Sequence, residues 1–408
     1  MKESKNMDNI SRRDFLALSL AFSAMLAESP IKALAAGGNQ KRSLVVLSLS
    51  GGNDGLNTVI PYGMGQYYDL RPNIGIKQDK VLPIDDVLGL HPSMTEMHQL
   101  FKKGQMAIIQ GTGYIKPNRS HFRSMEIWQT AQPDIIGDTG WLGRYLDTIE
   151  KEKKERMMLA VNVDPVLPLS LLSRRVTVPS VFDLGSFRFK VDSHFEEDRQ
   201  RQFATFQNIY KEYKLDRPFV DKLKASGLSA SSASEKLHKL AAGAPKVKYP
   251  DGRLAAALRL IAQMQAGGVG ARVYTLTMDG FDTHANQSRT QPGLLSTLSS
   301  SLGAFLQDLQ ERGVADDVAV LVYSEFGRRA AENGGRGTDH GTAAPCFVLG
   351  QNIKGGLYGE TPSLTSLDSG DLKYTTDFRQ VYTALLESWL DADARSILGG
   401  RFEPLAFV

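Results

Sequence analysis

Short runs rich in valine, leucine and isoleucine recur along the chain and end in turn residues: SLVVLSLS at 43–50, MAIIQG at 106–111, RVYTLTM at 272–278, VAVLVYSE at 318–325 and CFVLG at 346–350. Runs of this length, rich in β-branched residues and bounded by turn formers, read as strands buried on both faces. Between them, apolar positions at helical spacing predict helices at 93–103, 120–131, 251–267, 290–312 and 377–391. Buried strands alternating with amphipathic helices predict an α/β fold, a doubly wound and mainly parallel sheet flanked by helices. In such a sheet the reactive groups collect just beyond the carboxyl ends of the strands.

Two stretches break the pattern. From about 150 to 250 the chain offers strand-like pieces interrupted by prolines, a charged helical segment (HFEEDRQRQFATFQNIYKEYKL) and a serine-rich connector around 226–234. This predicts a mainly helical insertion or cap within a domain running from 41 to 408. At the start, residues 1–36 place Arg12 and Arg13 before an apolar run from Phe15 to Ala27, followed by the small residues Ala33, Ala35 and Ala36. That is the layout of a twin-arginine signal peptide cleaved near residue 35. The apolar run is shorter than the roughly 20 residues a membrane span needs. The expected partner is the twin-arginine export machinery, which carries folded proteins, and the expected address is periplasmic or secreted, with no stable membrane span in the mature protein.

Composition narrows the function classes. With 408 residues, 42% hydrophobic and 23% charged, the chain can bury a large core, which excludes global disorder. A net charge of +3 spread along the sequence leaves no footprint for nucleic acid. Cys346 is the single cysteine, so no intrachain disulfide can form, and its apolar neighbours predict a buried structural thiol.

The candidate chemistry lies at the strand ends. Asp54 follows the first strand in a glycine-rich turn. Arg119, Ser120 and His121 open a helix after the second. Asp279, Asp282 and His284 follow the third, and Glu325, Asp339 and His340 follow the fourth. Carboxylates and imidazoles drawn from separate loops form the donor set of a divalent cation, and a catalytic ion also needs a coordination position open to water or substrate. Ser120 at a helix N-terminus is a candidate nucleophile, and Arg119 beside it a candidate partner for an anionic substrate group. Each residue also has a plain structural reading: Asp54 and Asn53 as turn formers, Ser120 as a helix cap, Glu325 as the ion-pair partner of Arg328 or Arg329. Among the other histidines, His98, His194 and His238 read as solvated helix residues, and His91 as a turn residue that could line the site.

LSLSGGNDGLNTVIP, RSHFRSMEIWQT, GFDTHANQ and SEFGRRAAENGGRGTDHGTAAPCFVLG together resemble the DUF1501 family, exported proteins related to the alkaline phosphatase and sulfatase superfamily. The resemblance spans the whole mature chain. It implies an alkaline-phosphatase-like fold and metal-dependent hydrolysis of phosphate or sulfate esters, on a small-molecule or polymer substrate. By the superfamily pattern it also implies Asp54, Asp282, His284, Glu325 and His340 as metal ligands and Ser120 as nucleophile. Where many relatives carry Asp-His after the fourth strand, this chain has Glu325-Phe326. The second ion therefore lacks its imidazole: either His121 or Asp339 replaces it, or the site holds one ion, with zinc, manganese and calcium all open. Two rivals stand beside this reading. One is an SGNH-like serine esterase, whose nucleophile would precede GGND in the chain. The other is a metal-stabilised binding protein that catalyses nothing.

Overall fold

Alternate residues of the first strand face opposite ways, and each set finds its own core. Val45, Leu47 and Leu49 pack with Met97, Leu258, Ile261, Leu298 and Leu302, whereas Leu44 and Val46 pack with Ile127, Trp128, Trp141, Tyr145 and Tyr382. All seven residues of this strand are buried. The run is continuous in hydrophobicity for that reason: a strand covered by helices on both faces has no solvent side to make polar. Each fully buried leucine or valine contributes about 1.5–3 kcal/mol of transfer free energy.

The structure, a computed structural model, describes residues 41–150, 158–182, 195–212 and 247–408. The strands of the main sheet are β1 (Ser43–Leu49), β2 (Met106–Gly113), β3 (Ala160–Asn162), β4 (Val273–Met278), β5 (Val318–Ser324), β6 (Ala344–Leu349), β7 (Gly356–Tyr358) and β8 (Thr376–Asp377). Their spatial order is β7-β2-β6-β5-β1-β4-β3, with β8 also paired to β2. β6 alone runs antiparallel to its neighbours β2 and β5, and every other pairing in this sheet is parallel. The helices are α1 (Gly65–Leu70), α2 (Thr95–Lys102), α3 (His121–Thr130), α4 (Trp141–Glu150), α5 (Glu196–Glu212), α6 (Arg253–Ala266), α7 (Gln287–Glu311), α8 (Phe378–Ala384) and α9 (Ala394–Leu398). A small antiparallel sheet of Val59–Ile60, Leu82–Pro83 and Gly89–Leu90 stands apart.

The expected mainly parallel α/β sheet is therefore present, with each long strand and helix near its expected place. Two helices differ in extent. α7 begins at Gln287, earlier than the apolar pattern indicates, because its first two turns bury glutamines, Gln287 and Gln291. The segment expected as one helix at 377–391 is α8 followed by a π-helical turn at Leu385–Trp389. Within the segment read as an insertion, Ala160–Asn162 joins the sheet edge beside β4 and Glu196–Glu212 is helical. The arginine-pair leader, the serine-rich connector, His194 and His238 lie outside the described residues. Among the described residues, no helix is long and apolar enough to cross a membrane.

Cys346 is fully buried against the Thr112 hydroxyl at 3.1 Å, and burial pushes its thiol up to about 12. This is the inert structural thiol expected from its apolar neighbours.

Strand direction is what assembles the site. β5, β1 and β4 lie side by side and parallel, so the loops after them, carrying residues 325–328, 50–54 and 279–284, open at the same edge. β6 is antiparallel, so the segment that precedes it, with His340, arrives at that edge too. β2 runs parallel to β5 and delivers the start of α3.

Candidate metal centre

The first loop shapes the floor of the site. Gly51 and Gly52 both have positive φ (117° and 72°), a conformation that costs glycine little. A Cβ on Gly51 would enter the Phe281–Asp282 backbone, and one on Gly52 would enter the Phe326 ring. The two carbonyls so exposed accept from Arg328, a completely buried guanidinium that also donates to Phe281 O (3.1 Å), Thr338 O (2.8 Å) and Asp282 Oδ1 (2.6 Å). Gly52→Ala is expected to destabilise the protein by about 1–3 kcal/mol through positive-φ strain and overpacking. A urea midpoint unchanged from wild type would refute this.

Three imidazoles converge around Asp282. His284 Nε2 and His340 Nε2 lie 2.9 Å apart, and each also approaches Asp282 Oδ1, at 3.0 and 3.2 Å. His121 Nε2 lies 3.5 Å from Asp282 Oδ2. One ligand atom from each of His121, Asp282 and His340 falls within a set no wider than 4.8 Å.

The far nitrogen of every ring has an acceptor. His121 Nδ1 meets Glu325 Oε1 at 2.7 Å, His284 Nδ1 meets Asp339 Oδ1 at 3.2 Å, and His340 Nδ1 meets the Arg119 carbonyl at 2.9 Å. A carboxylate or carbonyl oxygen accepts, so each Nδ1 carries a proton, and it is the Nε2 atoms that face the cluster. Two lone pairs 2.9 Å apart repel unless a proton or a cation stands between them. Buried His121 Nε2 has no hydrogen-bond partner among the described residues. Histidine ligands held from behind by carboxylate or carbonyl acceptors are the usual outer shell of a metal site.

Electrostatics favour the ligating protonation states. Burial works against ionisation of Asp282, but the hydrogen bond and charge of Arg328, with help from His340, hold its carboxyl below the ordinary aspartate range. His340 is lowered chiefly by burial, against the opposing pull of Asp282 and the Arg119 carbonyl, which keeps its ring neutral at pH 7. Asp339 is lowered by the Asn333 amide and, after the opposing effect of burial, by His284. Phe326 stands where the resemblance expects an imidazole, and its ring packs 4.8 Å from His121 and 4.9 Å from His340 as an apolar wall.

The geometry redistributes the expected ligand set. Glu325 is buried behind His121, with Gly51 N donating to Oε1 and Ser324 Oγ to Oε2, so it orients a ring. Asp339 does the same for His284. Asp54 is not brought to the cluster: Arg71 takes both its oxygens at 2.5 and 2.9 Å, and the Gln287 amide adds a contact at 2.5 Å. Asn53 is spent on Thr58 and Ser324. Arg71 and Gln287 went unnoticed in the sequence; the glutamine pair Gln287 and Gln291, four apart on an otherwise apolar helix face, was the available signal.

Ser120 is exposed at the start of α3, and its hydroxyl makes no capping bond. Its amide instead donates to Asn118 Oδ1 at 2.8 Å. Arg119 turns its guanidinium to Asp371. His91 is buried, accepts from Ser93 N, and is pushed down to about 4 by burial despite the charge of Asp54. His98 is buried rather than solvated, its Nε2 2.8 Å from Pro83 O.

Fold and cluster together define an α/β protein with a histidine–carboxylate centre at the carboxyl edge of its sheet. The chain belongs to the family described as "Protein of unknown function (DUF1501)", whose model matches residues 41–387. No curated protein matches it. Among solved structures it is similar to a protein in the alkaline phosphatase superfamily from Vibrio parahaemolyticus (11% identity, 90% of this chain and 70% of that one, TM-score 0.38). It is also similar to a sulfatase from Pseudoalteromonas sp. (10% identity, 98% and 75%, TM-score 0.37). A third similar structure is a phosphonate monoester hydrolase from Silicibacter pomeroyi (10% identity, 88% and 75%, TM-score 0.39).

Proposed function

We propose that this chain is an exported, metal-dependent hydrolase of phosphate or sulfate esters with Ser120 as its nucleophile. The observation that carries the reading is that one ligand atom from each of His121, Asp282 and His340 lies within 4.8 Å of the others, with His284 Nε2 2.9 Å from His340 Nε2 and 3.0 Å from Asp282 Oδ1. His121, His284, His340 and Asp282 would hold the ion, with Glu325 and Asp339 orienting two of the rings. Three nitrogens and one oxygen suit zinc, or manganese, far better than calcium, which takes six to eight oxygen ligands. A bound ion would polarise the ester and lower the pKa of a hydroxyl against it.

The residues of the chain account for the rest. Ser120 Oγ bonds to phosphorus or sulfur while the alcohol departs, and water then cleaves the seryl ester and restores the hydroxyl. The N-terminus of the ten-residue α3 favours the negative charge of the reacting group. Export through the twin-arginine route, from Arg12 and Arg13, fits a centre whose ligands sit on three separate loops and come together only in the folded chain.

Elemental analysis of the exported protein is expected to find stoichiometric zinc or manganese. Chelation is expected to abolish hydrolysis of an aryl phosphate or sulfate, and the metal to restore it. Protein free of transition metal as isolated would sink the reading. Glu325→Gln should weaken metal affinity by about 10–100-fold without unfolding the chain, because the amide cannot orient His121 as the carboxylate does; equilibrium dialysis measures this, and wild-type affinity would remove Glu325 from that role.

A further inference from the structure

Next to the histidine cluster sits a charge arrangement that the hydrolytic reading does not use. Asp371 is almost fully buried (3% of its side chain exposed), and two arginines attend it. Arg119 Nη2 pairs with Oδ2, and Arg329 Nε lies 3.8 Å from Oδ1. Asp371 Oδ1 makes no hydrogen bond among the described residues. The turn that carries it is pinned by paired 2.9 Å backbone bonds between Asp368 and Asp371.

Both arginines are tied to the cluster through their main chains. The Arg119 carbonyl accepts from His340 Nδ1, and Arg329 N donates at 3.0 Å to Asp339 O, the residue whose carboxylate holds His284. Their side chains are 41% and 39% exposed. Apart from the Arg119–Asp371 pair, neither guanidinium has a hydrogen-bond partner among the described residues. One arginine would suffice to neutralise a buried carboxylate. Two leave the group with a net positive charge on part-exposed side chains beside a buried carboxylate. Asp368, the neighbouring carboxylate, is solvent-exposed and opposes that charge only weakly.

We propose that Arg119, paired with Asp371, and Arg329 beside it form an anion subsite for a second negatively charged group of the substrate. The inference rests on the hydrolase reading above and deepens it: the substrate is an ester carrying another sulfate, phosphate or carboxylate near the scissile one. Planar guanidiniums with paired donors match such groups bidentately.

The test needs neither metal nor turnover. Metal-stripped full-length protein is titrated calorimetrically with inorganic sulfate at low ionic strength. Saturable binding is expected, weakened at least about tenfold in R119Q and in R329Q, with R329K in between because an ammonium lacks the fork. Circular dichroism confirms that each variant is folded. Absence of saturable sulfate binding to the metal-stripped wild type, or wild-type affinity in folded R329Q, overturns the subsite. A protein that binds sulfate in this way yet hydrolyses nothing would refute the hydrolase reading and leave the subsite standing.

Discussion

Arg71→Met is expected to destabilise the folded protein by about 3–5 kcal/mol, read from the urea midpoint at constant slope. The Arg71 side chain is 0% exposed and that of Asp54 is 1% exposed. The guanidinium also donates to Asn57 Oδ1 and to the Ala330 and Arg329 carbonyls. Without it, a buried carboxylate keeps only the Gln287 amide, Asn57 Oδ1 keeps only the Tyr67 hydroxyl, and two carbonyls lose their donor. Asp54→Leu combined with Arg71→Met should recover a large part of the loss, since removing both charges is far cheaper than removing one. A midpoint change in R71M worth under about 0.5 kcal/mol, the usual scatter of surface substitutions, would show that the pair carries no such energy. The same residues decide a second question. Asp54→Asn is expected to keep the metal content of the wild type, because its oxygens face Arg71; loss of metal in that variant would return Asp54 to the ligand set.

Asp54 shows where sequence reasoning reaches its limit. The strand run before it and the glycines around it placed the turn correctly at the carboxyl edge of the sheet. Residue type and strand-end position also singled out His121, Asp282, His284 and His340, all of which converge. What a one-dimensional reading cannot supply is direction. Glu325 and Asp339 stand among the same clusters, yet their carboxylates lie behind the rings, and Asp54 turns toward α7 and the residue after α1. Those orientations depend on Arg71, Arg328 and Gln287, residues distant in sequence whose donors claim particular oxygens. The short strands β7 and β8 have no local signature for a related reason: with two or three residues each, they owe their extended form to pairing with a neighbour, whereas β3 lies in a stretch that reads as strand-like but as part of an insertion. His98 read as solvated because its helix is polar, although Pro83 covers its ring in three dimensions.

Ser120→Ala is expected to lower turnover by on the order of 10³-fold or more while leaving the metal in place. The substitution is unusually clean at this position. Serine at a helix start commonly caps an amide, and its loss then costs about 1 kcal/mol, but the Ser120 hydroxyl makes no capping bond and the side chain is exposed. Stability and metal content should therefore stay at wild-type values, and a fall in turnover can be assigned to the missing nucleophile. Trapping sharpens the distinction: wild-type protein quenched during turnover of a radiolabelled phosphate ester should carry label on Ser120, and the alanine variant none. Unchanged turnover in S120A with full metal content would mean that water attacks directly at the histidine centre, in which case His121, His284, His340 and Asp282 would remain the ligands and Ser120 would revert to the plain first residue of a helix.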